Sequence, residues 1–305
     1  MSNSSHLKEL LAIATSAVQE AGAMINEYTQ GHNELLVEEK KGGSSYASQV
    51  VTKVDLLAQE ILLKHLLPTC QKYDLGLLTE ESDDNKSRLD HWAFWSIDPL
   101  DGTLPFIEGS EGFAVSVALV QKEGTPLLGA IYHPPTERVY TSLYGQGAYI
   151  NGKSFSIKPA SHVSHVSHTP ADTIFTFMHD RSFLLHPLYQ QILVDIKAIA
   201  LNEGYAHFAI SSQGGAVVNA LWTLEKSPAC YLKLPKKEEG GGSLWDYSAT
   251  ASFALESGAH ISDCFGEPLE LNREESTFMN HKGVLFCSDH TIAQDILRAI
   301  SRVIF

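Results

Sequence analysis

The chain has 305 residues, 44% hydrophobic and 19% charged, enough apolar material for one large unit or two close-packed ones. Disorder and collagen-like order are excluded by that composition. Lysine plus arginine (22) against aspartate plus glutamate (36) leaves a net charge of −14, a surface that repels nucleic acid, anionic membranes and, unless the field is reversed locally, phosphorylated molecules. A first helix is predicted where Leu7, Leu10, Leu11, Ala14, Val18, Ala21, Met24, Ile25 and Tyr28 recur every three or four residues. After a Gly/Ser-rich break at 41–45, Thr52 and Asp55 have capping spacing for a second helix. It carries Leu56, Leu57, Ile61, Leu62 and Leu66 and is expected to stop at Pro68. Residues 92–97 read as a buried strand that turns at Pro99, because proline cannot continue a central strand. Three β-rich runs follow at 114–120, 127–133 and 138–144, separated by turn signals at Gly124 and Pro134-Pro135.

The pattern changes near residue 155. Helical spacing over about 184–199, 214–226, 245–257 and 290–303 alternates with strand-like runs at 207–211, 229–234, 259–264 and 283–288. A strand meander followed by alternating α and β argues for a mixed α/β (α+β) protein with an antiparallel first half. Two halves are expected, 1–155 and 156–305. Cys70, Cys230, Cys264 and Cys287 form no C-x-x-C pair, which fits reduced thiols in the cytoplasm. The N-terminal residues lack the pattern of a signal peptide, and no apolar run is long enough for a membrane span.

The sharpest signal is Asp98-Pro99-Leu100-Asp101-Gly102-Thr103 at the end of an apolar strand. Two carboxylates three positions apart on a turn can converge on one point, with the Leu100 carbonyl beside them. Such oxygen ligands suit Mg²⁺. Gly102 lets the backbone approach closely, and N–H groups at a following helix start can hold an anion. An Asx-type turn that merely caps a helix is the structural alternative. Glu80 and Glu81 end an apolar run, either as ligands or as part of a solvated acidic loop with Asp83 and Asp84. Asp246, just after Gly240-Gly241-Gly242, and Asp55 each have a capping alternative as well. Lys233, Lys236 and Lys237 read as a solvated basic loop or as partners of a second phosphate. His162, His165 and His168, interleaved with Ser and Val between Pro159 and Pro170, are expected in an exposed linker and read as incidental rather than ligating, because Mg²⁺ chemistry does not use imidazole.

Taken together, Val51-Thr-Lys-Val-Asp55, Glu80-Glu81, the Asp98 to Thr103 signature and Trp245-Asp-Tyr-Ser-Ala249 resemble the inositol monophosphatase family in order and spacing. The likeness extends through Ala114-Val-Ser, Gly145-Gln-Gly-Ala, Asn151-Gly152 and Gly214-Gly-Ala-Val-Val-Asn219, nearly the whole chain. It implies a layered α/β/α/β/α sandwich and a Mg²⁺-dependent, lithium-sensitive phosphomonoesterase. Glu80, Asp98, the Leu100 carbonyl, Asp101 and Asp246 would hold the metals, with Asp98 bridging two ions. Thr103, supported by Asp55, would orient the attacking water together with Glu80. The N–H groups of Gly102 and Thr103 would hold phosphate oxygens, while Gly214, Gly215, Ala216 and Glu239 would touch the substrate. Four carboxylates balance two Mg²⁺, so a third Mg²⁺, or Lys40 or Lys41, would offset the phosphate. The implied substrate is a small phosphorylated metabolite, with inositol monophosphate the family default. A 3′(2′),5′-bisphosphate nucleotidase acting on 3′-phosphoadenosine 5′-phosphate is the enzymatic alternative, and a catalytically silent metal-binding regulator the non-enzymatic one. Leu104-Pro105 after the signature matches neither enzyme subgroup. Family members are often homodimers.

Overall fold

A computed structural model of the protein describes residues 4–29, 37–39, 50–157 and 173–304. Lys40, Lys41, His162, His165 and His168 lie outside the described residues. Helix α1 (Ser4–Thr29) opens the chain, followed by the short antiparallel pair β1 (Val37–Glu39) and β2 (Val50–Thr52). Helix α2 (Lys53–Tyr73) starts where the capping spacing predicts, but it runs past Pro68 rather than ending there. Pro68 is exposed, so the carbonyl that loses its N–H partner can turn to water. The final turn is tied to the core instead, where the Trp95 indole donates to the Thr69 hydroxyl at 2.8 Å.

A seven-stranded sheet follows in simple order: β3 (Gly76–Thr79), β4 (Ala93–Asp101), β5 (Ala114–Gln121), β6 (Pro126–His133), β7 (Arg138–Leu143), β8 (Gly147–Ile150) and β9 (Lys153–Phe155), with the one-turn helix α3 (Ser87–Asp90) between β3 and β4. The meander is antiparallel as expected, except that β3 pairs parallel to β4. Alternation along the strands sorts side chains to the two faces. Trp95, Ile97, Val115, Val117 and Leu119 share a core with α1 and α2. Phe94, Ala114, Ala118 and Ile131 face the other way.

The second sheet has the order β11-β10-β12-β14-β13, built from β10 (Ile174–Met178), β11 (His207–Ser211), β12 (Ala229–Lys233), β13 (His260–Ser262) and β14 (Val284–Cys287). Helices α6 (Ala216–Glu225) and α7 (Leu244–Ser257) lie between the two sheets in the largest core. The outer face of the second sheet is covered by α5 (Tyr189–Asn202) and α8 (His290–Ile304), whose Ile192, Ile196, Ile292 and Ile296 pack on Phe175, Cys230 and Leu285. The result is five layers, α/β/α/β/α. The helix expected over 184–199 is split by a 3₁₀ turn at Arg181–Leu185 ahead of α5. The four cysteines are all free thiols.

Candidate metal and phosphate site

The end of β4 builds the site, and it does so by a bulge rather than the turn expected at Pro99. Asp98 lies opposite Ser116 and Asp101 opposite Ala114, so one extra residue is inserted between them. Residues three apart in a regular strand point to opposite faces; the extra residue brings both aspartates to the same face. Pro99 has no N–H to give to the ladder, which makes the bulge the natural place for it. Gly102 then turns the chain with φ +80° into the short helix α4 (Thr103–Ile107). A Cβ at Gly102 would lie 2.3 Å from the Gly112 carbonyl oxygen, so no side chain fits there.

Asp246 arrives from the first turn of α7. Ser243 is the N-cap residue and Asp246 the third helical residue of a capping box, accepting the Ser243 N–H through Oδ2. The capping and ligand readings of Asp246 are therefore compatible in geometry, one carboxylate serving the helix while facing the cluster. Asp98, Asp101 and Asp246 each bring a carboxylate oxygen within 4.8 Å of the others. Glu80 follows the last residue of β3, its N–H donated to the Ile97 carbonyl at 3.2 Å, and its side chain faces Asp98 at hydrogen-bonding range. Gln59 of α2 steadies this corner by accepting the Thr79 hydroxyl at 2.6 Å and donating to Ser82 Oγ at 3.2 Å, a contact with no signature in the sequence.

These carboxylates are held against their own charge. Burial pushes Asp98 well above the usual aspartate range, and Glu80, Asp101 and Asp246 push it further. Asp101 is raised by burial and by Asp246, although the N–H groups of Val217 and Ala216 pull the other way. Burial and then Glu80 raise Asp246 to about 6, with Lys233 offsetting part of the effect. Asp98 Oδ1 accepts the Leu100 N–H at 3.1 Å, whereas its buried Oδ2 has no partner. A cluster of hard oxygen donors, acidic, crowded and with an orphaned buried oxygen, fits a divalent cation.

Thr103 stands at the edge of this cluster. Its hydroxyl lies 3.0 Å from Asp55 Oδ1 and 3.2 Å from the Leu100 carbonyl oxygen. Asp55, read also as a helix cap, is buried and faces Thr103. The segment 214–216 borders the site through Asp101, which accepts the Ala216 N–H at 3.0 Å and the Val217 N–H at 2.9 Å. The Gly215 N–H goes to the Gly112 carbonyl at 2.8 Å, and a Cβ on Gly215 would lie 2.4 Å from Asp101 Oδ2. Ala216 thus spends its N–H on Asp101, and Val217 joins it without having been singled out in the sequence. Glu239 is exposed in the loop between β12 and α7. Lys233 is not part of a solvated loop: it ends β12, is largely buried and pairs with Asp180.

The layered α/β/α/β/α sandwich thus carries, at the end of β4, an acidic cluster that could hold a metal ion. The family model for the inositol monophosphatase family matches residues 6–304. The chain belongs to that family, whose members hydrolyse phosphate monoesters. It is 29% identical over 249 residues to a histidinol-phosphatase of Chlorobaculum parvum, covering 79% of this chain and 87% of that one. To an inositol-1-monophosphatase of Mesorhizobium japonicum it is 25% identical over 305 residues, 96% of each chain. Among solved structures, the extragenic suppressor protein suhB from Bartonella henselae superposes with a TM-score of 0.68 at 21% identity, covering 97% of this chain and 99% of that one. Among the described residues, no helix is long and apolar enough to cross a membrane.

Proposed function

We propose that the protein is a Mg²⁺-dependent phosphomonoesterase acting on a small polyol phosphate, with inositol monophosphate as the substrate. The observation that carries the reading is the convergence of Asp98, Asp101 and Asp246 with Glu80 around a buried carboxylate oxygen that has no partner. Glu80, Asp98, the Leu100 carbonyl, Asp101 and Asp246 would hold two divalent cations, or three with phosphate, which would polarise the phosphoryl group, activate water and offset charge on the leaving oxygen. The protein's own part is positional. With its hydroxyl proton directed to Asp55, Thr103 has lone pairs free to accept a hydrogen bond from the attacking water, which it orients together with Glu80. The N–H groups of Gly102 and Thr103 at the start of α4 receive phosphate oxygens. Gly214, Gly215 and Ala216 form one wall of the substrate site, and Glu239 meets a substrate hydroxyl from the other.

Residues 1–155 carry the metal motif and residues 156–305 complete the site. The protein works in the cytoplasm, where its four free thiols stay reduced. Li⁺ at millimolar levels inhibits, because it can replace Mg²⁺ with half the charge. A second reading, histidinol phosphate as substrate, is favoured by the likeness to a histidinol-phosphatase over 87% of that protein's length. Phosphate release from inositol 1-phosphate, histidinol phosphate and 3′-phosphoadenosine 5′-phosphate, each with and without Mg²⁺, tests both readings. A preference in kcat/KM for inositol 1-phosphate is expected. A preference for either other compound overturns the substrate assignment, and turnover independent of divalent cations overturns the mechanism.

A further inference from the structure

Next to the carboxylate cluster lies a second polar group that the reaction above does not use. Asp180, just past the end of β10, accepts the Tyr231 hydroxyl at 2.7 Å and the Asn219 amide at 3.4 Å, and it pairs with Lys233. The Lys233 ammonium also donates to the Tyr247 hydroxyl at 3.1 Å and lies 5.8 Å from the centre of that ring. Tyr231, Asn219 and Tyr247 are fully buried, while Lys233 and Asp180 keep only 17% and 19% of their side-chain exposure. Burial works against a charge on Lys233, yet Asp180 beside it holds the ammonium above the ordinary lysine value. Asp180, also opposed by burial, is kept below the usual aspartate range by Lys233. Both groups therefore stay ionised at neutral pH.

The position of this pair matters more than its existence. Tyr247 directly follows Asp246 in α7, and its hydroxyl, which receives the Lys233 ammonium, donates to the Gly241 carbonyl at 3.5 Å and sits against Gly242, beside the Ser243 N–H that Asp246 accepts. A cation fixed beside anionic ligands lowers their affinity for a divalent ion, and an anion beside it restores that affinity. Resting on the metal-site reading above, we propose that Lys233, held by Asp180, is a positioning residue that sets how tightly the carboxylate cluster binds divalent cations. It acts as a built-in counter-charge, moderating repulsion in the metal-free cluster and limiting the affinity for the ions once they bind.

The sign of the effect separates this role from simple structural support. Mn²⁺, an oxygen-seeking ion of the same charge as Mg²⁺, is titrated into the substrate-free protein, and free Mn²⁺ is followed by electron paramagnetic resonance. Lys233→Met should tighten Mn²⁺ binding by about tenfold, and Asp180→Asn should weaken it by a similar factor. The double variant Lys233→Met/Asp180→Asn should return to within about threefold of wild type. Weaker binding in both single variants, or no change in either, overturns the proposal. Should Lys233→Met fail to fold by circular dichroism, the other two variants decide: recovery of affinity in the double variant supports the counter-charge, and equal or greater weakening there overturns it. A wild-type protein that binds no Mn²⁺ overturns the metal-site reading itself, whereas wild-type binding with the wrong order among the variants overturns this inference alone.

Discussion

Asp98 and Asp180 lie in neighbouring polar clusters between the same layers, yet their surroundings are opposite in kind. Asp180 has a lysine, a phenol and an amide directed at it, and its carboxyl is held below the usual range although burial opposes the charge. Asp98 has three other carboxylates around it, an oxygen with no partner, and a carboxyl pushed well above the usual range. A buried acid that is fully partnered is part of the fold; one surrounded by its own kind is unstable until a cation arrives. That difference separates the proposed reaction centre from its support.

Neutralising the crowded cluster tests the comparison most severely. Asp98→Asn or Asp246→Asn should reduce turnover by about a thousandfold or more at saturating Mg²⁺, since each removes a charged ligand while keeping the side-chain shape. The same substitutions should raise the melting temperature of the metal-free protein at pH 7.5, because they relieve like-charge repulsion. Near-wild-type turnover in either variant contradicts the site.

Thr103→Ala comes next. It removes the hydroxyl that contacts Asp55 and Leu100, and kcat should fall by about a hundredfold or more with KM little changed. A large rise in KM with kcat unchanged would instead make Thr103 a phosphate-binding residue. Gly215→Ala should act through Asp101. With its Cβ at 2.4 Å from Oδ2, the carboxylate must shift, and the Mg²⁺ concentration for half-maximal rate should rise by about tenfold. Unchanged metal activation would show that Asp101 tolerates the displacement.

A pH effect of smaller size follows from the raised carboxyls. Asp246 has a folded-state value of about 6 against 3.8 for an ordinary aspartate, and Asp98 and Asp101 are raised as well. Between those values the folded state binds more protons than the unfolded one. These groups therefore contribute most stability below about pH 4, and the contribution is lost as pH rises through 6. The metal-free protein should melt lower at pH 7.5 than at pH 5, and the difference should shrink in Asp246→Asn and on adding Mg²⁺. An identical pH slope in all three samples would break the link between the cluster and stability. At the bottom of the scale, Lys64→Ala removes an exposed pair with Glu20 and should leave both turnover and melting temperature unchanged.

Local signals in the chain were enough for the strand meander, most second-half elements and the group of acids, because apolar alternation and the Asp98 to Thr103 signature are contiguous in sequence. Where local chemistry points one way and the fold goes another, tertiary context decides. Pro68 was expected to end α2, yet an exposed proline costs the helix only one bond that water can replace. Pro99 was expected to force a turn, and the strand absorbs it as a bulge that aligns Asp98 with Asp101. The burial of Lys233 was not legible at all, because its partner Asp180 lies just past the end of β10, far away in sequence, and nothing local marks the pair. Nor could spacing reveal that Ala216 and Val217 direct their N–H groups to Asp101.

The role proposed for the acidic cluster is to hold divalent cations for phosphate-ester hydrolysis. Its most direct test is a Mg²⁺ titration of phosphate release from inositol 1-phosphate, run in parallel on the wild type and Asp98→Asn after chelator treatment. The expected result is no release without metal, a saturable rise with Mg²⁺ in the wild type, and no rise in the variant. Release from the chelator-treated wild type, or an equal response to Mg²⁺ in both proteins, would rule out that role.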